Sequence, residues 1–115
     1  MDKPAETVLR GIPASDALER YIGEETRKLE RVCERIRSCQ VVVELRQREQ
    51  QGAQFAARLI VSLPGTEFVV NREHSDDVYI ALRDAFAAAG LQLKQHMRRQ
   101  GIEARSRNGT PNSRR

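Results

Sequence analysis

The chain has no tryptophan, and only 4% of its 115 residues are aromatic. RNA-binding modules that stack successive bases need several aromatic side chains on one face, so the composition argues against that kind of module. No apolar run approaches the ~20 residues that a membrane-spanning helix requires, and the opening residues MDKPAETV have no apolar stretch typical of a signal peptide. We therefore expect a cytoplasmic protein with no membrane partner.

Cysteine and histidine are also scarce. The two cysteines, Cys33 and Cys39, are interpreted as buried small apolar residues, with a disulfide or metal pair as the alternative. His74 is expected in a polar loop and His96 near the end of a helix. Neither histidine lies at ligand spacing from the cysteines or from the other, so no zinc or other metal site is predicted.

Signs of catalysis are missing as well. The seven glycines are scattered and form no phosphate-binding loop. Asp76 and Asp77 could be a carboxylate pair, but capping of a helix explains them better. The sequence therefore predicts a protein that is not an enzyme and that has no cofactor and no small-molecule substrate.

The positive charge is concentrated at the end of the chain. The net charge is +4, and six arginines and one glutamate fall between Arg98 and Arg115. Residues 1–97 carry 14 basic and 15 acidic side chains, so this part is nearly neutral. Affinity for nucleic acid would then depend on local clusters of cations rather than on bulk charge.

Hydrophobic periodicity predicts two long helices. The first runs from Asp16 to Ile36, opens with capping-box spacing between Asp16 and Glu19, and has an apolar stripe. That stripe comprises Leu18, Ile22, Leu29, Val32, Cys33 and Ile36. The second follows Ser75, Asp76 and Asp77, and its stripe comprises Val78, Leu82, Ala85, Phe86, Ala89, Leu93 and Met97.

Four strands are predicted around these helices. The first lies at Thr7–Gly11, and the second begins in CQVVVELRQR, where Val41 and Val43 share a face. A polar loop, QREQQGAQ, leads to a third strand with Leu59 and Val61 inward. Pro64 and Gly65 suit a type II turn into a fourth strand at residues 67–72, with Phe68 and Val70 inward.

These elements predict an α+β fold in the order β-α-β-β-β-α. The two amphipathic helices pack on one face of a four-stranded mixed sheet, whose first two strands are parallel and whose other face is wet and polar. Residues 1–99 form the single domain, and residues 100–115 are predicted to be a disordered basic tail.

Basic residues recur along both predicted helices, and on the first helix Arg27, Arg31 and Arg35 stand four residues apart. One interpretation is an ordinary solvated face, because neighbouring glutamates offset much of the charge. The other is a surface that follows RNA phosphates. The candidate RNA-binding residues are Arg27, Lys28, Arg31, Arg35, Arg37, Lys94, Arg98 and Arg99.

The second helix is predicted to present an outward row of Arg83, Ala87, Leu91, Lys94 and Arg98. An exposed leucine is ordinary by itself. Because Leu91 lies beside Ala87 and Ala88, it could seat a partner or a second copy of the chain in a weak homodimer.

Several segments resemble the ribosome hibernation-promoting factor and ribosome-associated inhibitor family, also called sigma-54 modulation proteins. The likeness covers about residues 8–99 and rests on SDALERYIGEETRKLERV, SCQVVVE, SLPGTEFVVNRE, and DDVYIALRDAF followed by QLKQHMRR. The resemblance implies a fold related to double-stranded-RNA-binding domains. It also implies RNA contacts by Lys28, Arg31 and Lys94.

The function implied by this resemblance is binding to small-subunit ribosomal RNA in the messenger and transfer-RNA channel. Such binding would inhibit translation and stabilise idle ribosomes under stress. The chain departs from the family at Glu25, Ala88 and Leu91, where basic residues are usual. The alternative is therefore a divergent regulatory or protein-interaction domain that has lost ribosome binding.

Overall fold

The computed structural model describes residues 5–50 and 52–107. It contains β1 (Glu6–Arg10), α1 (Asp16–Val32), β2 (Ser38–Arg48), β3 (Gly52–Leu63), β4 (Thr66–His74) and α2 (Val78–Arg107). The predicted order and the α+β fold class are confirmed.

The four strands form one sheet in the order β1-β2-β3-β4. β1 pairs with β2 in parallel, and the other neighbours are antiparallel. The parallel pair needs a crossover connection, which α1 supplies. The turn between β3 and β4 has Gly65 at φ 79°, as a type II turn requires at its third residue.

Both helices cover the same face of the sheet, where they bury the side chains predicted to be inward. Val41, Val43, Leu59 and Val61 are fully buried on that face. The helices contribute most of their predicted stripes to the same cluster, namely Leu18, Ile22, Leu29, Leu82, Ala85, Phe86, Ala89 and Leu93. The residues between the buried ones along each strand point to the opposite face of the sheet, because successive side chains of a strand alternate between its two faces.

α1 begins at Asp16 as predicted, but its capping residue and its end differ from the prediction. Its N-cap is Ser15, whose Oγ accepts a hydrogen bond from the Leu18 N–H at 3.1 Å. The helix ends at Val32, because Cys33 is extended and the chain must turn to enter β2. Cys33 and Ile36 still reach the core from outside the helix, so an apolar stripe extended the predicted helix too far.

The predicted polar loop between the second and third strands is largely strand. β2 continues to Arg48, which is registered opposite Gly52 at the start of β3. Polar side chains are compatible with strand here because this end of the hairpin extends into solvent and buries little. β4 likewise extends to His74, which was expected in a loop.

α2 continues past the boundary predicted after Arg99 and ends at Arg107. Residues 102–107 are IEARSR, which includes good helix formers and no proline. Among the side chains of α2 that the structure describes, the last one in the core is Leu93, and Met97 at the end of the predicted stripe is 40% exposed. Residues 108–115 of the predicted tail lie outside the described residues.

The face of the sheet away from the helices is mixed rather than wholly polar. Val69 is 39% exposed there, and Ala56 is buried. Arg46 bridges Glu44 at 3.1 Å and Glu73 at 3.3 Å, and both glutamates are registered opposite Ala56. The arginine therefore crosses β3 above Ala56 and shields it.

Candidate nucleic-acid interface

The two helices run side by side in the same direction. Tyr21 of α1 contacts Tyr79 of α2 near the start of both helices. Farther along, a Cβ atom added to Gly90 of α2 would lie 3.9 Å from Leu29 of α1. α1 follows β1 and α2 follows β4, and these two strands point in the same direction. Each helix therefore returns over the sheet in the same direction.

An open depression of about 440 Å³ lies between the helices, and we call it the inter-helix groove. Its lining residues are Glu25, Lys28, Leu29, Val32, Arg83, Phe86, Ala87, Gly90, Leu91 and Lys94. Leu29 and Phe86 belong to the buried core and form the apolar floor. Charged side chains stand at the edges, so the groove combines an apolar base with polar walls.

Cations from both helices border this groove. Lys28 of α1 and Lys94 of α2, both predicted to bind RNA, line it together and are exposed. Arg83 lies on the α2 side and approaches Asp84 at 3.4 Å. The fold therefore brings Lys28 and Lys94, which lie on different helices, to one site.

A second depression of about 350 Å³ lies on the outer surface of α1 and is lined by Glu24, Arg27, Lys28 and Arg31. Lys28 lines both depressions. The two sets of cations therefore join into one surface, which we call the basic strip: Arg27, Lys28, Arg31, Arg83 and Lys94. Such a strip can contact several phosphates of one nucleic acid.

Acidic side chains reduce the positive charge of the basic strip. Lys28 Nζ donates to Glu25 Oε2 at 2.8 Å, and the Glu25 side chain is only 17% exposed. This hydrogen bond, with the charge of Glu25, raises the pKa of Lys28, so the lysine stays charged. Within the described residues, no ion pair involves Lys94, which leaves this ammonium group available to an anionic ligand.

The remaining RNA-binding candidates lie outside both depressions. Arg35 is in the turn after α1, so it does not continue the helical row of Arg27 and Arg31 as predicted. Arg37 is exposed just before β2, and its backbone N–H donates to the Ser62 carbonyl at 2.8 Å. Arg98 and Arg99 are exposed on the part of α2 that extends past Leu93.

Of the ten residues that line the inter-helix groove, only Lys28 and Lys94 were RNA-binding candidates from the sequence. Arg83, Phe86 and Gly90 are among those that were not. Arg83 belongs to the predicted outward row that also contains Lys94, and that spacing was sufficient to find it. Phe86 was assigned to the core, where it is indeed buried. Its contribution to a groove depends on how far apart the helices lie, which periodicity does not specify.

Other kinds of site were also sought in the described part of the chain. Cys33 and Cys39 are unpaired and buried, as expected. Among the described residues, no group of three or more His, Cys, Asp or Glu side chains could hold a metal ion. None of the helices described has both the length and the apolar character needed to cross a membrane.

Solved structures share this fold, among them a protein domain from Thermus thermophilus and a protein from Coxiella burnetii. The N-terminal domain of Protein Y from Thermus thermophilus superposes with a TM-score of 0.69 at 24% identity, covering 84% of this chain and 99% of that one. A ribosomal subunit interface protein from Coxiella burnetii superposes with a TM-score of 0.66 at 20% identity, covering 81% and 96%. No curated protein sequence matches the chain.

A family model gives the strongest relationship. The model described as Sigma 54 modulation protein / S30EA ribosomal protein matches residues 6–101. The match extends from β1 into the last third of α2 and includes both sides of the inter-helix groove. The chain belongs to the Sigma 54 modulation protein / S30EA ribosomal protein family.

Proposed function

We propose that the protein binds ribosomal RNA of the small ribosomal subunit in the channel for messenger and transfer RNA. By occupying this channel, it would inhibit translation and stabilise idle ribosomes under stress. Membership of a family described as ribosomal supports a ribosomal partner. The solved relatives, one of which is described as a ribosomal subunit interface protein, share the fold.

The observation that carries the proposal is the meeting of Lys28 and Lys94 at one groove, with Arg27 and Arg31 continuing the cationic surface along α1. Residues 1–97 are nearly neutral, so this local cluster is the natural contact for a polyanion. Phosphate contacts fix the position of a protein on RNA without reading its sequence. Inhibition would then be steric, since bound protein and messenger RNA would compete for the same space.

The test is co-sedimentation with purified small subunits at two salt concentrations. We expect binding at low salt that weakens steeply as salt rises, because the release of counterions from the RNA favours binding less when the surrounding salt is concentrated. A double variant, Arg31→Glu with Lys94→Glu, should lose binding. Absence of binding by the unaltered protein at low salt would falsify the proposal.

The sheet provides a control with the same change in charge. Arg10 and Arg58 are exposed on the face away from the helices. Arg10→Glu with Arg58→Glu should retain most of the binding at low salt. If both double variants lose binding equally, net charge rather than the basic strip governs the interaction.

A second candidate function is protein interaction without ribosome binding, including a weak homodimer. Leu91 favours it because this side chain is 57% exposed on α2, beside the exposed Ala87. Leu91→Arg should then disrupt the complex without lowering thermal stability. Sizing experiments that give a monomer for both proteins would reject the dimer.

A further inference from the structure

The inter-helix groove has a feature that phosphate contacts leave unexplained. Its floor is apolar, because Leu29 and Phe86 lie beneath it, and Leu91 at its edge is 57% exposed. The backbone of an RNA double helix would contact the cations at the edges and leave this floor in water. A ligand that fits the whole groove must combine an apolar surface with negative charge.

Gly90 keeps the groove open. It lies on the wall of the groove, and a Cβ atom there would approach only Leu29 Cδ2, at 3.9 Å, among the atoms around it. Glycine in a helix interior is unfavourable relative to alanine. The space left by the missing side chain is thus occupied by neither helix.

We propose that the groove seats one unpaired nucleotide of the RNA, an inference that rests on the proposed function. The base would lie on the apolar floor beside Leu29 and Leu91, and a flanking phosphate would contact Lys94. Unpaired bases in loops and bulges can be splayed out of the RNA and packed on protein side chains. The volume of about 440 Å³ falls within the range of ~300–1,000 Å³ for sites that hold small molecules.

The charges favour this occupant and set its orientation. Glu25 pairs with Lys28 on the α1 side of the groove, so a phosphate there would meet a carboxylate. Lys94 lies on the α2 side, and no ion pair with a described residue occupies it. The phosphate is therefore expected near α2. An apolar protein helix would leave Lys94 without an anionic partner.

Filling the groove tests the proposal without changing the charge. Gly90→Leu places a side chain where the base would lie, whereas Gly101→Leu is a matched change on α2 at a position where an added Cβ meets nothing within 4 Å. Gly90→Leu should weaken binding to purified small subunits about tenfold. Its salt dependence should be unchanged, because no phosphate contact is removed. Gly101→Leu should bind like the unaltered protein.

Two RNA hairpins then identify the occupant. One has a single bulged adenosine and the other is fully paired, and both are followed by fluorescence anisotropy at low salt. The unaltered protein should bind the bulged hairpin several-fold more tightly, and Gly90→Leu should remove this preference. Circular dichroism and thermal melting would establish that each variant is folded.

The outcomes separate this inference from the proposed function. If Gly90→Leu binds small subunits like the unaltered protein, the groove is not used and the inference is overturned. Weaker binding to subunits without a preference for the bulged hairpin assigns the groove to a ribosomal protein and also overturns it. If the unaltered protein binds no subunits at low salt, the proposed function itself fails.

Discussion

The ring of Tyr21 on α1 packs edge-on against the ring of Tyr79 on α2, with centroids 5.3 Å apart and an angle of 82° between the ring planes. These are the two tyrosines of the chain, and their contact joins the helices near the start of the groove. The environment of Tyr21 is partly desolvated, and this burial, with the nearby charge of Glu25, raises the pKa of its hydroxyl.

The tyrosine contact should contribute to stability beyond the area that it buries. Edge-to-face aromatic pairs are worth about 0.5–1.5 kcal/mol in double-mutant cycles. We expect a coupling of this size between Tyr21→Ala and Tyr79→Ala, measured by urea denaturation. Tyr21→Ala combined with Val69→Ala on the opposite face of the sheet is the control and should be additive. Additivity in both pairs would mean that the rings contribute only through burial.

Two glycines should respond oppositely to alanine. Gly90 is within α2 and has room for a methyl group, so Gly90→Ala should raise the free energy of unfolding by up to ~1 kcal/mol. Gly65 has φ 79° in the turn after β3. Gly65→Ala should therefore lower stability by about 1 kcal/mol, because this backbone conformation is strained for alanine. Thermal melting of both variants shows whether each substitution raises or lowers stability. A stabilised Gly65→Ala protein would contradict the assigned turn.

The sequence was most informative where its pattern is linked to a core. Alternation placed Val41, Val43, Leu59 and Val61 on the buried face, and the family segments supported the order of elements. The same reasoning gave a wrong boundary where an element extends beyond the core. α2 continues beyond Leu93 because its residues favour helix, although the apolar stripe has ended.

The candidate site shows a different limit. Helical spacing could identify Lys28 and Lys94 as outward residues, but it could not give the separation of α1 and α2. That separation depends on the side chains between the helices, including the absence of one at Gly90. Arg35 shows the opposite error, since its spacing from Arg31 suggested a helix that in fact ends at Val32.

The ion pair between Glu25 and Lys28 should weaken RNA binding. At 2.8 Å, Glu25 neutralises part of the charge that Lys28 offers to a phosphate. Glu25→Gln should therefore tighten binding to small subunits at low salt, by at most about fivefold because the pair lies at the surface. The gain should shrink as salt screens the charges. Glu67→Gln, on the exposed end of the sheet beside Ser62, removes the same charge and should have little effect. Weaker binding by Glu25→Gln would mean that the carboxylate itself contacts the RNA.

Lys94 should determine part of the salt dependence. Each phosphate that a protein neutralises contributes about 0.7–0.9 to the slope of log affinity against log salt concentration. Lys94→Ala should reduce the magnitude of this slope by roughly that amount for small subunits. Arg58→Ala, on the face away from the helices, should leave the slope unchanged. An equal reduction by both variants would indicate diffuse attraction rather than a phosphate contact at Lys94.

The buried thiol of Cys39 should make the protein less stable in alkaline solution. Burial, with a smaller effect from the charge of Glu30, raises the pKa of Cys39 to about 11, whereas a cysteine in an unfolded chain titrates near ~8.5. The folded state therefore holds the proton more tightly. This thiol contributes its full stabilisation below the unfolded pKa of ~8.5. As the pH rises from there toward the folded pKa of about 11, the free energy of unfolding falls by on the order of 1 kcal/mol per pH unit. Urea denaturation from pH 7 to 10.5 measures this slope.

Cys39→Ala separates this thiol from other groups that titrate in the same range. The variant retains Cys33, so a difference in slope between the two proteins belongs to Cys39. We expect the variant to lose less stability at high pH, although it begins lower because the alanine leaves a small cavity. In the unaltered protein at pH 8, Cys39 should also react with a disulfide reagent only after unfolding, since the thiolate is the nucleophile and the side chain is 3% exposed. Parallel stability curves for the two proteins, or rapid reaction of Cys39 in the folded state, would contradict a buried protonated thiol.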